Sequence, residues 1–214
     1  MRNNFQNLLI YSSSVIIVPV FIALIKYKRL QKSLRYLAIL IFCDCLTEFT
    51  GHVLFFFKMN NHFLWPIFIC IEFGLLAWIY RLELHNTLLN KFIPWLIILF
   101  IVYVFIDWVF DKPNSLSAIP HFVEGVILLC LIFCYYHKNL QNPVLYLERS
   151  PMFWLSAGLF VYFATDSIIF ISSNYLFYFS LHFFDQVWLI HAIFNLLLYI
   201  FYTLALCLNQ PKLC

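Results

Sequence analysis

The chain has 214 residues, of which 64% are hydrophobic, 21% aromatic and only 11% charged, and its formal net charge is +3. A soluble globular domain carries about 25% charged residues, so this composition leaves too little polar surface for a soluble domain. The mean hydropathy of +0.89 points the same way. We expect a single membrane domain over residues 1–214, with the lipid bilayer as its surroundings and no nucleic-acid partner.

Seven apolar runs are each close to the length of about 20 helical residues that crosses a hydrocarbon core. In chain order they are residues 8–25, 36–57, 63–80, 92–110, 120–136, 152–172 and 187–208. The first run lacks a small-residue cleavage site, so it is interpreted as a retained helix rather than a signal peptide. None shows the alternation of a barrel strand. The sequence therefore predicts an all-α protein with seven transmembrane helices.

The placement of Lys and Arg predicts the orientation, because cytoplasmic loops carry an excess of positive charge. With the N-terminus outside, ten of the 13 basic residues fall on the inner side, and Arg2, Lys58 and Lys112 fall on the outer side. We therefore expect the N-terminus outside and the C-terminus inside.

Two connecting segments carry further signals. Ser150 and Pro151 form an N-cap followed by a proline suited to the first helical position, which predicts the start of the sixth span. Residues 173–186 are aromatic but too short to cross again, so they are expected to lie along the outer interface as a lid. The seven cysteines fall in apolar segments or at the end of the chain and predict no disulfide framework.

Ionisable residues recur inside the spans. The stretch CDCLTEFTGH places Asp44, Glu48 and His52 four residues apart, hence on one helix face. An ionised side chain at mid-bilayer costs about 2.5–3.5 kcal/mol, so these groups should face inward. The sequence predicts an acidic, histidine-containing cavity that opens outward, with the fourth span as a lipid-facing or spacer helix. The polar residues of the other spans are Glu72, His121, Glu124, Tyr162, Asp166, His191 and Asn195.

The first functional hypothesis is a sensor or carrier for a small polar, cationic or amphipathic ligand, because acidic residues with aromatic walls suit a cation. A sensor would need a protein partner at the inner face. Spans 2 and 6 share the pairs Thr47-Glu48 and Thr165-Asp166, which is compatible with a 3+1+3 arrangement. Asp44 and Asn195 are expected mainly to hold helices together. The predicted ligand-binding residues are Glu48, His52, Glu72, Glu124, Asp166, His191 and Asn195.

The second hypothesis is an intramembrane lipid hydrolase, in which Glu48, Glu72 and Asp166 supply acid and base. A metal-dependent form would use Glu48, His52 and His191 as ligands, although the first hypothesis requires no metal or other cofactor. The sequence alone leaves open whether the protein is an enzyme. Retinal is excluded as a partner because the seventh span contains no lysine for a Schiff base.

Several segments together resemble a group of small bacterial seven-helix membrane proteins: LTE in the second span, Asn60-Asn61, CIEFGLLAWIY, PMFWLSAGLFVYFATDSIIF and WLIHAIFNLLLYI. The resemblance covers most of the chain and implies the topology and a bacterial inner membrane, but no activity. Its polar and aromatic marks are Glu48, Glu72, Phe153, Trp154, Gly158, His191 and Asn195. GLFVYFATDS also resembles a helix of lysoplasmalogenase-type membrane hydrolases, with Thr165-Asp166 in place of the Ser-Asp pair. The Gly-Asp helix of those hydrolases has no counterpart here.

Overall fold

The computed structural model describes residues 14–84, 87–110, 118–141, 147–179 and 181–208. These residues form seven α-helices, and two short 3-10 turns, Tyr27–Arg29 and Leu147–Arg149, precede α2 and α6. The predicted all-α class is confirmed. The helices are α1 (Ile17–Lys26), α2 (Lys32–Phe56), α3 (Leu64–Leu84), α4 (Thr87–Phe110), α5 (Ala118–Gln141), α6 (Pro151–Phe179) and α7 (Leu181–Cys207).

Five of these helices, α2, α4, α5, α6 and α7, are long and apolar enough to cross a membrane. The first predicted span begins at Leu8, and its residues 8–13 lie outside the described part of the chain. Helix α3, the third predicted span, is not among these five. It has 21 residues and carries three charged side chains, Glu72, Arg81 and Glu83. Many large apolar side chains face outward, among them Phe21, Phe49 and Phe105, which is the surface expected of helices solvated by lipid.

The helix ends follow from local sequence. Helix α6 begins at Pro151, directly after Ser150, as predicted. Helix α2 ends in a Schellman motif: the Met59 N–H donates to the Leu54 carbonyl and the Lys58 N–H donates to the Phe55 carbonyl. Lys58 takes the left-handed position of this motif, with φ 55°. The motif ends α2 abruptly and turns the chain back towards α3.

The segment 173–186 was expected to lie along the interface as a separate lid, and this prediction is wrong. Helix α6 continues to Phe179 and α7 begins at Leu181, so the segment extends two helices. The 29 residues of α6 span about 43 Å at about 1.5 Å per residue, whereas the hydrocarbon core is about 30 Å thick. An apolar run marks the part of a helix within lipid and does not show how far the helix continues beyond it.

Contacts between the described helices define a ring. Helix α1 contacts α2 and α7, α2 contacts α3, α3 contacts α5, α5 contacts α6, and α6 packs along α7. Six helices therefore follow one another in the order α1, α2, α3, α5, α6, α7. Helix α4 packs outside this ring, mainly against α3, and many of its described side chains are exposed.

The apolar core fills the half of the bundle where α2 begins. Its largest fully buried members include Leu34 and Leu37 of α2, Tyr80 of α3 and Tyr202 of α7. The Tyr80 hydroxyl donates to Ser156 Oγ at 3.0 Å, which satisfies both hydroxyls inside this packed half. The buried acids and histidines lie instead in the half where α2 ends, so the bundle has a packed half and a polar half.

Basic side chains hold the helix ends of the packed half. Lys26 Nζ donates to the Leu206 and Cys207 carbonyls at the end of α7, and Lys138 Nζ donates to the Glu83 carbonyl near the end of α3. Cations at helix C-termini complement the helix dipole. These contacts connect α1 to α7 and α5 to α3 at one end of the ring.

Gly158 permits a close approach between α6 and α7. A Cβ atom at this position would lie 2.7 Å from Phe201 Cγ and closer still to Phe201 Cβ. Small residues allow helix backbones in membranes to approach in this way. The close contact fixes how α6 presents Asp166 to α7, two turns further along the helix.

Candidate functional site

The polar half of the bundle encloses a cavity of about 430 Å³, within the range of about 300–1,000 Å³ that is typical of small-molecule sites. Helices α2, α3, α5, α6 and α7 contribute to its wall, and Asn61 of the α2–α3 connection lies at one end. The lining residues are Asp44, Thr47, Glu48, Gly51, His52, Phe55, Asn61, Leu64, Trp65, Phe68, Glu72, His121, Tyr162, His191, Asn195 and Leu198.

One face of α2 forms a polar stripe along the cavity. Asp44, Glu48 and His52 all line it, as their spacing of four residues predicts. Glu48 Oε2 lies 3.7 Å from His52 Nε2, and the two side chains are 36% and 46% exposed. The end of the stripe near His52 is therefore the accessible mouth, and Asp44 lies deeper.

Glu72 projects into the cavity from α3. Its side chain is only 5% exposed, and its carboxyl lines the cavity without a hydrogen bond to any other described residue. Phe68 and Trp65 lie one and two turns before it on the same wall. A buried polar group is usually hydrogen-bonded within the protein, so this carboxyl is available to a ligand or to water in the cavity.

At one side of the cavity, three helices bring two acids and two histidines into a buried His–carboxyl row (Glu124, His121, Asp166 and His191). His121 Nδ1 lies 2.9 Å from Glu124 Oε2, and its Nε2 lies 3.6 Å from Asp166 Oδ2. His191 Nδ1 lies 2.6 Å from Asp166 Oδ1. Both imidazoles line the cavity, whereas the two carboxyls do not. The two carboxyls therefore do not border the cavity themselves. They contact the imidazoles, which do.

Aromatic rings surround the two imidazoles. Phe170 lies 4.3 Å from the His121 ring and 6.0 Å from the His191 ring. Trp65 packs against His121 at 6.2 Å, and Trp188 packs against His191 at 5.3 Å. Such rings exclude water, and their faces also favour a nearby cation. The two imidazoles therefore have aromatic neighbours on the sides that do not line the cavity.

Asp44 and Asn195 both contact Tyr199. The Tyr199 hydroxyl donates to Asp44 Oδ2 at 3.1 Å, and Asn195 Nδ2 donates to the Tyr199 oxygen at 3.3 Å. The bond from Tyr199 to Asp44 joins α7 to α2, whereas Asn195 and Tyr199 lie on the same helix. Asp44 and Asn195 both line the cavity, so each is also part of its wall.

The predicted ligand-binding residues divide into two groups. Glu48, His52, Glu72, His191 and Asn195 line the cavity, whereas Glu124 and Asp166 lie behind it in the buried His–carboxyl row.

Other wall residues were not in the predicted set. His121 was named only among the polar residues of the spans, and its i, i+3 spacing to Glu124 was the available signal. Tyr162 was noted as a polar residue of its span, but aromatic residues occur throughout the chain, and nothing in the sequence distinguished Trp65, Tyr162 or Tyr199 as members of the binding set.

The metal-dependent alternative required a cluster of ligands. Within the described ranges, no group of three His, Cys, Asp or Glu side chains is placed to hold a metal ion. The six described cysteines, among them Cys43, Cys45 and Cys70, are free thiols.

Comparisons with models of protein families, with curated proteins and with solved structures each find no match to this chain. The class of the protein therefore follows from its own helices, which are those of a multi-pass membrane protein. Any functional conclusion depends on the geometry of the cavity.

Proposed function

We propose that this chain crosses a bacterial inner membrane seven times with its N-terminus outside, and that its cavity opens outward and binds a small organic cation. The basic residues support this orientation. Lys26, Arg35, Arg81 and Lys138 lie at the end of the bundle opposite the cavity mouth, where positive charge faces the cytoplasm. The mouth, near His52 and Asn61, then faces outward.

The Glu72 carboxyl is the main reason for proposing a cation as the ligand. It is 5% exposed and is not hydrogen-bonded within the described chain. Asp44 and Glu48 line the same cavity, and its wall includes no lysine or arginine among the described residues. Buried charges need a partner of opposite sign, and a cationic ligand would supply one. Trp65 and Tyr162 would add attraction through their ring faces.

The arrangement of the helices supports a carrier over a sensor. Helices α1–α3 and α5–α7 form two runs of three around the ring, with α4 between them outside it, which fits a 3+1+3 plan of repeats. Thr47 Oγ1 donates to the Cys43 carbonyl, and Thr165 Oγ1 donates to the Val161 carbonyl, each at 2.9 Å. The middle helices of the two runs, α2 and α6, thus share one local feature. Each has a threonine that donates a hydrogen bond to the carbonyl four residues earlier and is followed directly by an acidic residue.

Calorimetric titration of the detergent-solubilised protein with choline, tetraethylammonium and spermidine tests this proposal. We expect Glu72→Gln to weaken binding of the best cation by at least about 30-fold, or about 2 kcal/mol. Glu83→Gln is the matched control, because Glu83 lies on the same helix outside the cavity wall, and it should change affinity by less than about twofold.

A neutral ligand of the same shape provides a second control. If choline is the best cation, 3,3-dimethyl-1-butanol should bind much more weakly, because its quaternary carbon carries no charge. Equal affinity for choline and this alcohol, or equal losses in the two glutamate variants, would refute a cation site at Glu72.

Lipid hydrolysis is the second candidate, and one contact favours it. Asp166 lies within 2.6 Å of His191 and 3.6 Å of His121, and a carboxyl that orients an imidazole is a common general-base arrangement. Incubation with phosphatidylethanolamine vesicles should then release lysolipid or fatty acid, and Asp166→Asn should abolish the release. Intact lipid after prolonged incubation would exclude this activity for that lipid.

A further inference from the structure

The buried His–carboxyl row is larger than a cation site requires. Only its imidazoles reach the cavity, and Glu124 and Asp166 are 0% and 2% exposed. Glu124 Oε1 is buried without a hydrogen-bond partner among the described residues. An ionised carboxylate in that position is costly, and a bound proton removes the charge. These groups are therefore placed to hold a proton rather than to contact a ligand.

The charges around the row are all acidic or neutral. From α2, Asp44 and Glu48 line the same cavity as the two imidazoles, and from α3, Glu72 does so as well. Tyr162 of α6 lies beside His191, with ring centroids 6.0 Å apart. The described charged groups of α1 and α4 lie elsewhere and are Lys26, Lys91 and Asp107. No described lysine or arginine offsets these acids, so either protons or a cationic ligand must do so.

We propose that the buried His–carboxyl row exchanges a proton for the bound cation, so that cation and proton compete for one cavity. The proposal depends on the cation site described above. With the cavity empty, one imidazole or carboxyl of the row carries the extra proton. Entry of a cation brings positive charge next to the same acids, and the proton leaves as H⁺. One positive charge enters and one departs, so the charge of the site is conserved.

The structure provides a route for the proton to reach outer water. Asp166 lies between the two imidazoles, 2.6 Å from His191 Nδ1 and 3.6 Å from His121 Nε2, so a small movement of the His121 ring would let a proton pass between them through the carboxyl. His191, Glu48 and His52 all line the cavity, and Glu48 lies 3.7 Å from the half-exposed His52 at the mouth. Cavity water can complete the steps between these three groups. A carrier built this way would exchange organic cations for protons.

Calorimetry in two buffers with different ionisation enthalpies counts the protons released as choline, or the best cation of the panel, binds. We expect about one proton per cation, and therefore an affinity that rises about tenfold per pH unit as long as the empty site still holds that proton. His121→Gln should bind the cation with far less proton release and a flatter pH profile. His137→Gln is the matched control on α5, because His137 pairs with Gln141 away from the cavity, and it should behave like the wild type.

The possible outcomes separate the two proposals. Binding without proton release and with a flat pH profile overturns the exchange but leaves the cation site. No binding of any cation at any pH overturns both. If His121→Gln unfolds, Glu124→Gln keeps a similar shape and removes one acid. Wild-type proton release in the folded variant would place the proton outside the row and overturn the assignment.

Discussion

Gly158→Ala tests the packing that positions the site. The new methyl group would lie 2.7 Å from Phe201 Cγ, whereas carbon atoms pack at about 3.5–4.0 Å. Rotating the Phe201 ring does not relieve this clash, because Phe201 Cβ, which is attached to the backbone, is closer still. Helices α6 and α7 must therefore separate by about 1 Å or more.

Two opposing effects determine how Gly158→Ala changes the free energy of unfolding: the cost of overpacking and the higher helix propensity of alanine. Overpacking in a well-packed core costs about 1–3 kcal/mol, and replacing glycine by alanine in a helix returns up to about 1 kcal/mol. We expect a net loss of about 1–2 kcal/mol, which for a chain of this size lowers Tm by about 2–8 °C. Separation of the helices should also weaken cation binding, because Asp166 and His191 lie 2.6 Å apart across the same pair.

Gly74→Ala is the matched control. Its methyl group would lie 3.8 Å from Ile97 Cγ2, which is ordinary van der Waals contact, so only the gain in helix propensity should remain. Thermal unfolding of the two variants in one detergent, followed by tryptophan fluorescence, provides the comparison. If Gly158→Ala melts at or above the temperature of Gly74→Ala, the close approach of α6 and α7 is not tight enough to matter, and the reasoning fails.

Two further predictions concern the packed half and the orientation. Tyr80→Phe leaves the Ser156 hydroxyl buried without its partner, so it should reduce stability by about 1 kcal/mol. The double variant with Ser156→Ala should recover part of that loss, and equal melting temperatures of the wild type and both variants would contradict the role of this bond. In a cysteine-free background, Asn60→Cys should react with a membrane-impermeant maleimide on intact cells and Ser150→Cys only after permeabilisation, and the reverse pattern would overturn the N-outside orientation.

The sequence located the helices and the start of α6 well, but it did not locate the other helix ends. Residues 36–57 were predicted as a span, and α2 runs from Lys32 to Phe56; residues 152–172 were predicted, and α6 continues to Phe179. Hydropathy detects the segment buried in lipid, whereas backbone hydrogen bonding continues a helix into the interface. The end of α2 depends on the left-handed Lys58, and a lysine carries no sequence signal for that conformation.

The candidate site was predictable within a helix and not between helices. The 3.6-residue period was enough to put Asp44, Glu48 and His52 on one face. Asp166 lies between two histidines of neighbouring helices because of the rotation and depth of α5, α6 and α7, which packing such as that at Gly158 determines. No spacing within one helix encodes that geometry, so the difference between Glu72 in the cavity and Glu124 behind it emerges only from the fold.

The packed half of the bundle also has an electrical consequence. With water reaching the cavity from outside, most of the transmembrane voltage would fall across the apolar layer around Leu37, Tyr80 and Tyr202. If the cavity floor sits about halfway through the field, one charge bound there gains about 1 kcal/mol per 100 mV. A cation that entered alone would therefore be drawn in by the voltage. A cation that displaces a proton from a similar depth moves no net charge across the field. The resting potential would then have almost no effect on how much cation the site binds.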